Sequence, residues 1–148
     1  MTATAAAPTS PIILPPPLIT AAQLFAEDRF ELFDDVAVDR VLGRIWLRDY
    51  VAGGARKHSD RMAAAEAVAV HDVKFRAPEI WERLSINDYL RHRPALNATV
   101  FRGNEWEWTC TAYAPIDGDF WIVTAFDGLA YGNRPAYRGF VRAVSAGQ

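Results

Sequence analysis

Alternation of apolar and polar positions is strongest in the last third of the chain, from Trp106 to Val144. Trp106, Trp108, Cys110 and Ala112 share one parity, while Glu107, Thr109, Thr111 and Tyr113 share the other, the period of a half-buried strand. On that parity Trp108 and Cys110 are expected inside, Cys110 as a small buried hydrophobe. After a turn at Ala114 to Gly118, the run Phe120-Trp121-Ile122-Val123-Thr124-Ala125-Phe126 is apolar on both parities, which predicts a central strand with Trp121 in the core. Asp127-Gly128 predicts a tight two-residue type I′ hairpin into a return strand from Leu129 to Tyr131. A polar excursion, Gly132 to Ala136, leads into a last strand from Arg138 to Val144.

Earlier segments are shorter. Ala21 to Phe33 mixes helical and strand spacing, read as helix to Asp28 and then strand. Val36 to Val41 and Gly43 to Leu47 form a hairpin-like pair, with Ile45 and Leu47 on one parity and Trp46 on the other. Tyr50 to Lys57, with Gly53-Gly54, is a loop. Ser59 is placed to cap a helix with Asp60 in its first turn and Met62, Ala65, Val68 and Ala69 on a narrow inner face. Pro78 suits the first position of a second helix, with Ile80, Trp81 and Leu84 as its inward stripe. A further turn spans Ser85 to Leu90 before Pro94. Two short helices between a strand pair and a meander predict an α+β fold with helices packed on antiparallel sheets.

The first residues differ in kind. Five of the nine prolines fall at Pro8, Pro11, Pro15, Pro16 and Pro17, so residues 1–20 are expected to form an extended arm ahead of a domain spanning 21–148. A solvated tail is one reading. The other gives weight to Ile12, Ile13, Leu14, Leu18 and Ile19, apolar studs that suit a segment lying on a partner or on its own domain.

Composition narrows the function classes. The chain has 148 residues, 51% of them hydrophobic, and a formal charge of −2, which disfavours an electrostatic nucleic-acid binder. Its basic charge is nearly all arginine, scattered along the chain, with lysine only at Lys57 and Lys74. One cysteine excludes an internal disulfide. No apolar run approaches the ~20 residues of a membrane span. The first basic residue is Arg29, so no secretory signal is expected and synthesis in the cytosol is. His58, His71 and His92 are too scattered for a metal site and are expected on loops or surface. No phosphate-binding glycine loop precedes a helix. No catalytic residue, metal or cofactor is therefore expected.

The ordered segments resemble the Lcl C-terminal domain family, a C-type-lectin-like domain of bacterial adhesins and phage-encoded proteins. Asp39 with Leu42-Gly43-Arg44-Ile45-Trp46 is similar to its Asp and Thr-Gly-Leu-x-Trp strand. Phe75-Arg76-Ala77-Pro78-Glu79 resembles its Trp-Arg-Leu-Pro-Thr helix start, and Arg93 to Phe101 its Asn-Pro-Ala-Ile-Asp segment. Trp108 to Ala114, Trp121-Ile122-Val123, Asp127-Gly128 and Phe140-Val141-Arg142-Ala143-Val144 match its later strands and turn. Ala77, Thr109-Cys110 and Ser145 depart from its pattern. The resemblance implies a C-type-lectin-like fold displaying a binding rim. The paired cysteines of the formylglycine-generating enzymes on a related fold are absent, as are the calcium-dependent sugar motifs of true C-type lectins.

Rim candidates are Asp117 and Asp119 in one loop, then Asp127, Tyr131, Asn133, Arg134 and Tyr137, types that combine rigid contact area with adaptable hydrogen bonding. For each alone, the plain alternative is a residue that only caps the sheet edge. A lectin-like display domain without an export signal suits assembly onto a phage particle in the host cytoplasm. The expectation is a virion protein, receptor-binding at a tail or fibre or decorating a capsid. Ile12, Ile13, Leu14, Pro15, Pro16, Pro17 and Leu18 would attach it to other virion proteins or into a homo-oligomer, a trimer among the options. The expected rim ligand is a host receptor or glycan. The competing expectation is a phage-encoded intracellular binding protein or inhibitor of a host system.

Overall fold

The computed structural model describes residues 11–146. The first ten residues, and with them part of the expected arm, lie outside the described residues. A four-residue helix α1 (Ala21–Leu24), capped by a reciprocal Thr20–Gln23 box, leads into a strand meander of β1 (Phe30–Leu32), β2 (Val36–Asp39) and β3 (Arg44–Leu47). Helix α2 (His58–Glu66), the two-residue strands β4 (Ala69–Val70) and β5 (Val73–Lys74), and helix α3 (Ile80–Leu84) follow. A second meander comprises β6 (Trp106–Ala112), β7 (Phe120–Thr124) and β8 (Ala130–Asn133), before β9 (Val144–Ser145) ends the chain's regular structure. All strand pairs are antiparallel, so the α+β architecture stands. The helix expected from Ala21 to Asp28 is only the four residues of α1, none of them buried, and α2 and α3 are the two helices between the strand pair and the second meander.

The first sheet has the order β1-β2-β3-β9, and its inner strands β2 and β3 are covered on both faces. Val36 and Leu47, cross-strand partners, pack with Ala65, Phe75 and Val141 on one side. Ala37 and Trp46, the next pair, pack with Leu96, Phe101 and Val144 on the other. Opposite parities of β2 and β3 thus feed two separate apolar clusters, as expected of a middle layer.

The second sheet, β6-β7-β8, is stitched to the first by residues 139–145. Phe140 exchanges backbone hydrogen bonds of 2.8 Å with Trp106 and Trp108, then Val141 and Ala143 accept from Val51 and Leu47 at 3.0 Å. The predicted continuous strand from Arg138 is therefore a segment that changes partners along its length, and only Val144–Ser145 is strand. Gly139 permits this close passage: a Cβ there would lie 3.0 Å from Ile122 and from the Trp108 indole.

Charged side chains occupy positions that the patterning assigned to solvent. Helix α3 turns Glu82 and Arg83 inward and leaves Trp81 47% exposed, so the predicted Ile80, Trp81 and Leu84 stripe is not its buried face. Its cap is Glu79 in a box with Glu82, one residue beyond Pro78. Helix α2 starts at His58 after Lys57 rather than after a Ser59 cap, because the Pro135 carbonyl takes the His58 amide at 2.9 Å. Ala65 is buried and Met62 and Val68 pack beside it as expected, whereas Ala69 lies in β4 and is exposed.

Two features of the second meander also depart from strict alternation. Trp108 pairs with Ile122 but Ala112 pairs with Phe120, so β6 carries two more residues than β7 over that interval. This bulge turns Cys110 outward, and the cysteine is exposed rather than a core residue. The β7–β8 connection runs from Ala125 to Leu129 and closes with Gly128 N–H donating to the Thr124 carbonyl at 2.8 Å. Gly128 has φ +77°, but Asp127 has no positive φ, so this is a longer turn than the predicted type I′ pair.

Candidate functional site

The face of the second sheet that buries Trp108 and Ile122 carries an aromatic cluster where it reaches solvent. Trp106 pairs with Thr124, and Trp108, Ile122 and Tyr131 lie side by side across β6, β7 and β8. The Trp106 ring stands 5.3 Å from Tyr131 and 6.1 Å from Tyr137, centroid to centroid. Tyr131 and Tyr137 are each 41% exposed, and Trp106 is half-buried between them. Trp106, which shares its parity with the buried Trp108, is the ring that both tyrosines contact.

The loop bearing Tyr137 is held at both ends. Asn133 Oδ1 accepts from the Arg134 amide at 2.9 Å, Tyr137 N–H donates to the Arg134 carbonyl at 3.0 Å, and the Pro135 carbonyl accepts from His58 at 2.9 Å. Arg56 and Gly139 exchange two backbone hydrogen bonds of 3.0 Å just beyond it. Such anchoring fixes ring positions before any ligand arrives, lowering the ordering cost of binding. Beside the loop, Arg56, Lys57, Asp60, Ala136 and Arg138 line a cavity of about 200 Å³ with three cations against one carboxylate.

The sequence-predicted residues divide by position. Tyr131 and Tyr137 meet through Trp106, and Asn133 and Arg134 lie on the connection between them. Asp117 and Asp119 lie on the β6–β7 turn at the same end of the sheet, since Ala112, Phe120 and Asn133 are in register there. Asp127 is at the other end, on the turn that follows Thr124, the cross-strand partner of Trp106, and its carboxylate accepts from the Leu129 amide at 3.0 Å.

Under this face lies a buried ionic frame. Glu107, on the inner parity of β6, accepts from Arg83 Nε at 2.8 Å, from Tyr50 Oη at 2.8 Å and from Arg142 at 3.4 Å. Arg142 also donates to the Arg48 and Arg102 carbonyls, so one guanidinium ties the two sheets together. Burial alone would raise the Glu107 carboxyl; the charges of Arg83 and Arg142 outweigh it and hold the group below its ordinary 4.5. Burial, followed by the neighbouring Glu107 charge, pushes the Tyr50 phenol up. Glu82 is held low in the same way, its burial outweighed by Arg76 at 2.6 Å, the Glu79 amide and Arg44 at 2.7 Å. Arg29 and Asp39 form a further buried pair at 2.7 Å.

His58 is buried, not a surface histidine. Its ring stacks on Phe120 at 3.6 Å and meets Trp108 edge-on, with Nε2–H donating to the Thr109 carbonyl at 2.9 Å. Burial pushes its pKa below 6.5, against the raising effect of that carbonyl. Cys110 is exposed as a residue, but partial desolvation of its thiol by neighbouring groups pushes the thiol up, which disfavours the thiolate a nucleophile would need. Among the described residues no group of three or more His, Cys, Asp or Glu is placed to hold a metal ion. No helix among them is long and apolar enough to cross a membrane. The chain matches no protein-family model, no curated protein and no solved structure.

Proposed function

We propose that this chain is a non-enzymatic display domain, a phage virion component that binds a host-surface receptor or glycan through the Trp106–Tyr131–Tyr137 rim and is attached through its N-terminal arm. The observation that carries the reading is the exposed aromatic cluster on a loop anchored at both ends. A preset aromatic surface flanked by Asn133 and Arg134 offers apolar contact and hydrogen bonding to the same ligand.

The C-type-lectin-like fold belongs to the same proposal. It is supported by where the family-like segments fall: Asp39 pairs with Arg29, Trp46 fills one apolar cluster, Arg76 clamps Glu82, and Arg142 joins the sheets. These residues would then be scaffold, with the ligand chemistry left to the rim. The arm's role draws support from Ile12, Ile13, Leu14 and Leu18, which lie at 80–98% exposure.

The test is adsorption of fluorescently labelled full-length protein to host cells, with co-sedimentation with purified particles measured alongside. Saturable adsorption together with particle association is expected. A protein found in neither fraction overturns the proposal.

A further inference from the structure

We infer that the arm's first partner is a second copy of this chain, with Ile12 to Leu18 of one copy seated in the cleft between α1 and the 86–91 turn of the other. The inference rests on the reading of the arm as an attachment segment and names what it attaches to.

The arm and the cleft are each incomplete alone. Residues 11–17 carry no secondary structure, and Ile12, Ile13, Leu14 and Leu18 are 80%, 87%, 81% and 98% exposed, so the arm does not cover its own domain. Four large aliphatic side chains left in water gain nothing on folding and favour any association that covers them. The cleft has a volume of about 370 Å³ and is lined on its apolar side by Leu24, Phe25, Phe30, Ile86 and Leu90. Phe25 and Leu90 remain largely exposed at its rim.

Shape and hydrogen bonding agree with a proline-rich occupant. Pro15, Pro16 and Pro17 bias the arm to the polyproline II form, in which Ile12 to Leu18 spans about 19 Å with its carbonyls unpaired. Segments of this kind dock in aromatic-lined grooves that supply donors to those carbonyls. Here Phe25 and Phe30 supply the rings. Asn97, whose Oδ1 takes the Thr99 amide, keeps its NH₂ as a donor at the cleft.

Position sets the form of the exchange. The arm enters α1 at its capped N-terminus, and the residues at the other end of that short helix wall the cleft. Arm and cleft therefore share one end of the molecule, and two copies facing each other there can trade arms reciprocally, which closes the assembly. Reciprocity doubles the buried area, bringing a short segment toward the roughly 1,200 Å² at which stable interfaces begin.

Sedimentation equilibrium of full-length protein tests this. The wild type is expected to be a homo-oligomer, and Ile12→Ser/Ile13→Ser/Leu14→Ser and Leu90→Arg are each expected to weaken association at least about tenfold, with unchanged melting curves. Leu90 is 89% exposed, so its substitution leaves the fold intact. In a Cys110→Ser background, mixing Ile13→Cys protein with Leu90→Cys protein under oxidation should give the mixed disulfide dimer in preference to either homodimer. A monomeric wild type overturns the inference, as does an oligomer that survives both the arm and the cleft substitutions, or oxidation that gives the two homodimers without the mixed dimer. A monomer that still joins particles through its arm overturns this inference alone and leaves the attachment reading in place.

Discussion

Arg83 Nε donates to Glu107 Oε1 at 2.8 Å, and neither side chain reaches solvent. Each is anchored further, Arg83 to Asn87 Oδ1 at 2.7 Å and Glu107 to the Tyr50 hydroxyl. A buried pair adds little over an apolar replacement of similar shape, but removing one partner strands the other charge. Glu107→Leu leaves Arg83 and Arg142 facing an apolar side chain and should destabilise by roughly 3–5 kcal/mol in urea denaturation. Arg83→Met/Glu107→Leu together should cost less than the sum of the two single changes, because the stranded partner is removed as well.

Acid should act through the same groups. The Glu107 and Glu82 carboxyls are depressed in the fold, so their contribution is present above the ordinary 4.5 and is lost as pH falls below it. His58 is also depressed. The unfolded chain takes up its proton first, so stability begins to fall as pH drops below 6.5. Melting temperature measured against pH should decline in two stages, and His58→Gln should flatten the upper one. A profile level from pH 7 to pH 3 would contradict both assignments.

The two tryptophans of the central strands should separate in stability. Trp108 is fully buried against His58 and beneath Gly139, so Trp108→Ala should cost about 3–5 kcal/mol. Trp121, expected in the core from its strand, is half-buried with its ring edge-on to Tyr113 at 4.6 Å. Its alanine variant should lose about 1–2 kcal/mol. Equal losses in paired denaturation curves would count against this placement.

The contrast shows which parts of the fold were legible in the residues. The β2–β3 pair and the β6–β7–β8 meander follow from period-two alternation, because a strand's faces are set by the backbone. What alternation could not supply is long-range pairing. Glu82, Arg83 and Arg142 read as solvated charges until their partners Arg76, Glu107 and Arg48 are brought beside them. Cys110 reads as core because a bulge is invisible to periodicity. Of the proposed rim, Tyr131, Asn133, Arg134 and Tyr137 were candidates from residue type and loop position, while the Trp106 ring between the two tyrosines carried no loop signal because it lies on a strand.

Gly128 tests the β7–β8 turn. Its φ is +77°, and a Cβ would lie 3.0 Å from Tyr89, 3.2 Å from Asn87 and 3.3 Å from Ala95. The Gly128 carbonyl accepts from both Asn87 and Tyr89, so a shift there would also disturb the segment that holds Arg83. Gly128→Val should cost at least about 1 kcal/mol from backbone strain alone. An unchanged melting temperature would contradict the turn geometry.

Binding curves on folded variants decide whether the rim is a contact surface. Trp106 is the ring that Tyr131 and Tyr137 share, so Tyr131→Ala/Asn133→Ala/Arg134→Ala/Tyr137→Ala should remove the contact surface and leave the buried frame intact. Adsorption to host cells should fall at least about tenfold relative to wild type, with the urea midpoint moving little, since all four positions lie at or near solvent. Asp127→Ala, whose carboxylate is taken up by the Leu129 amide within its own turn, should adsorb as wild type does. A quadruple variant that folds and adsorbs normally would contradict the account.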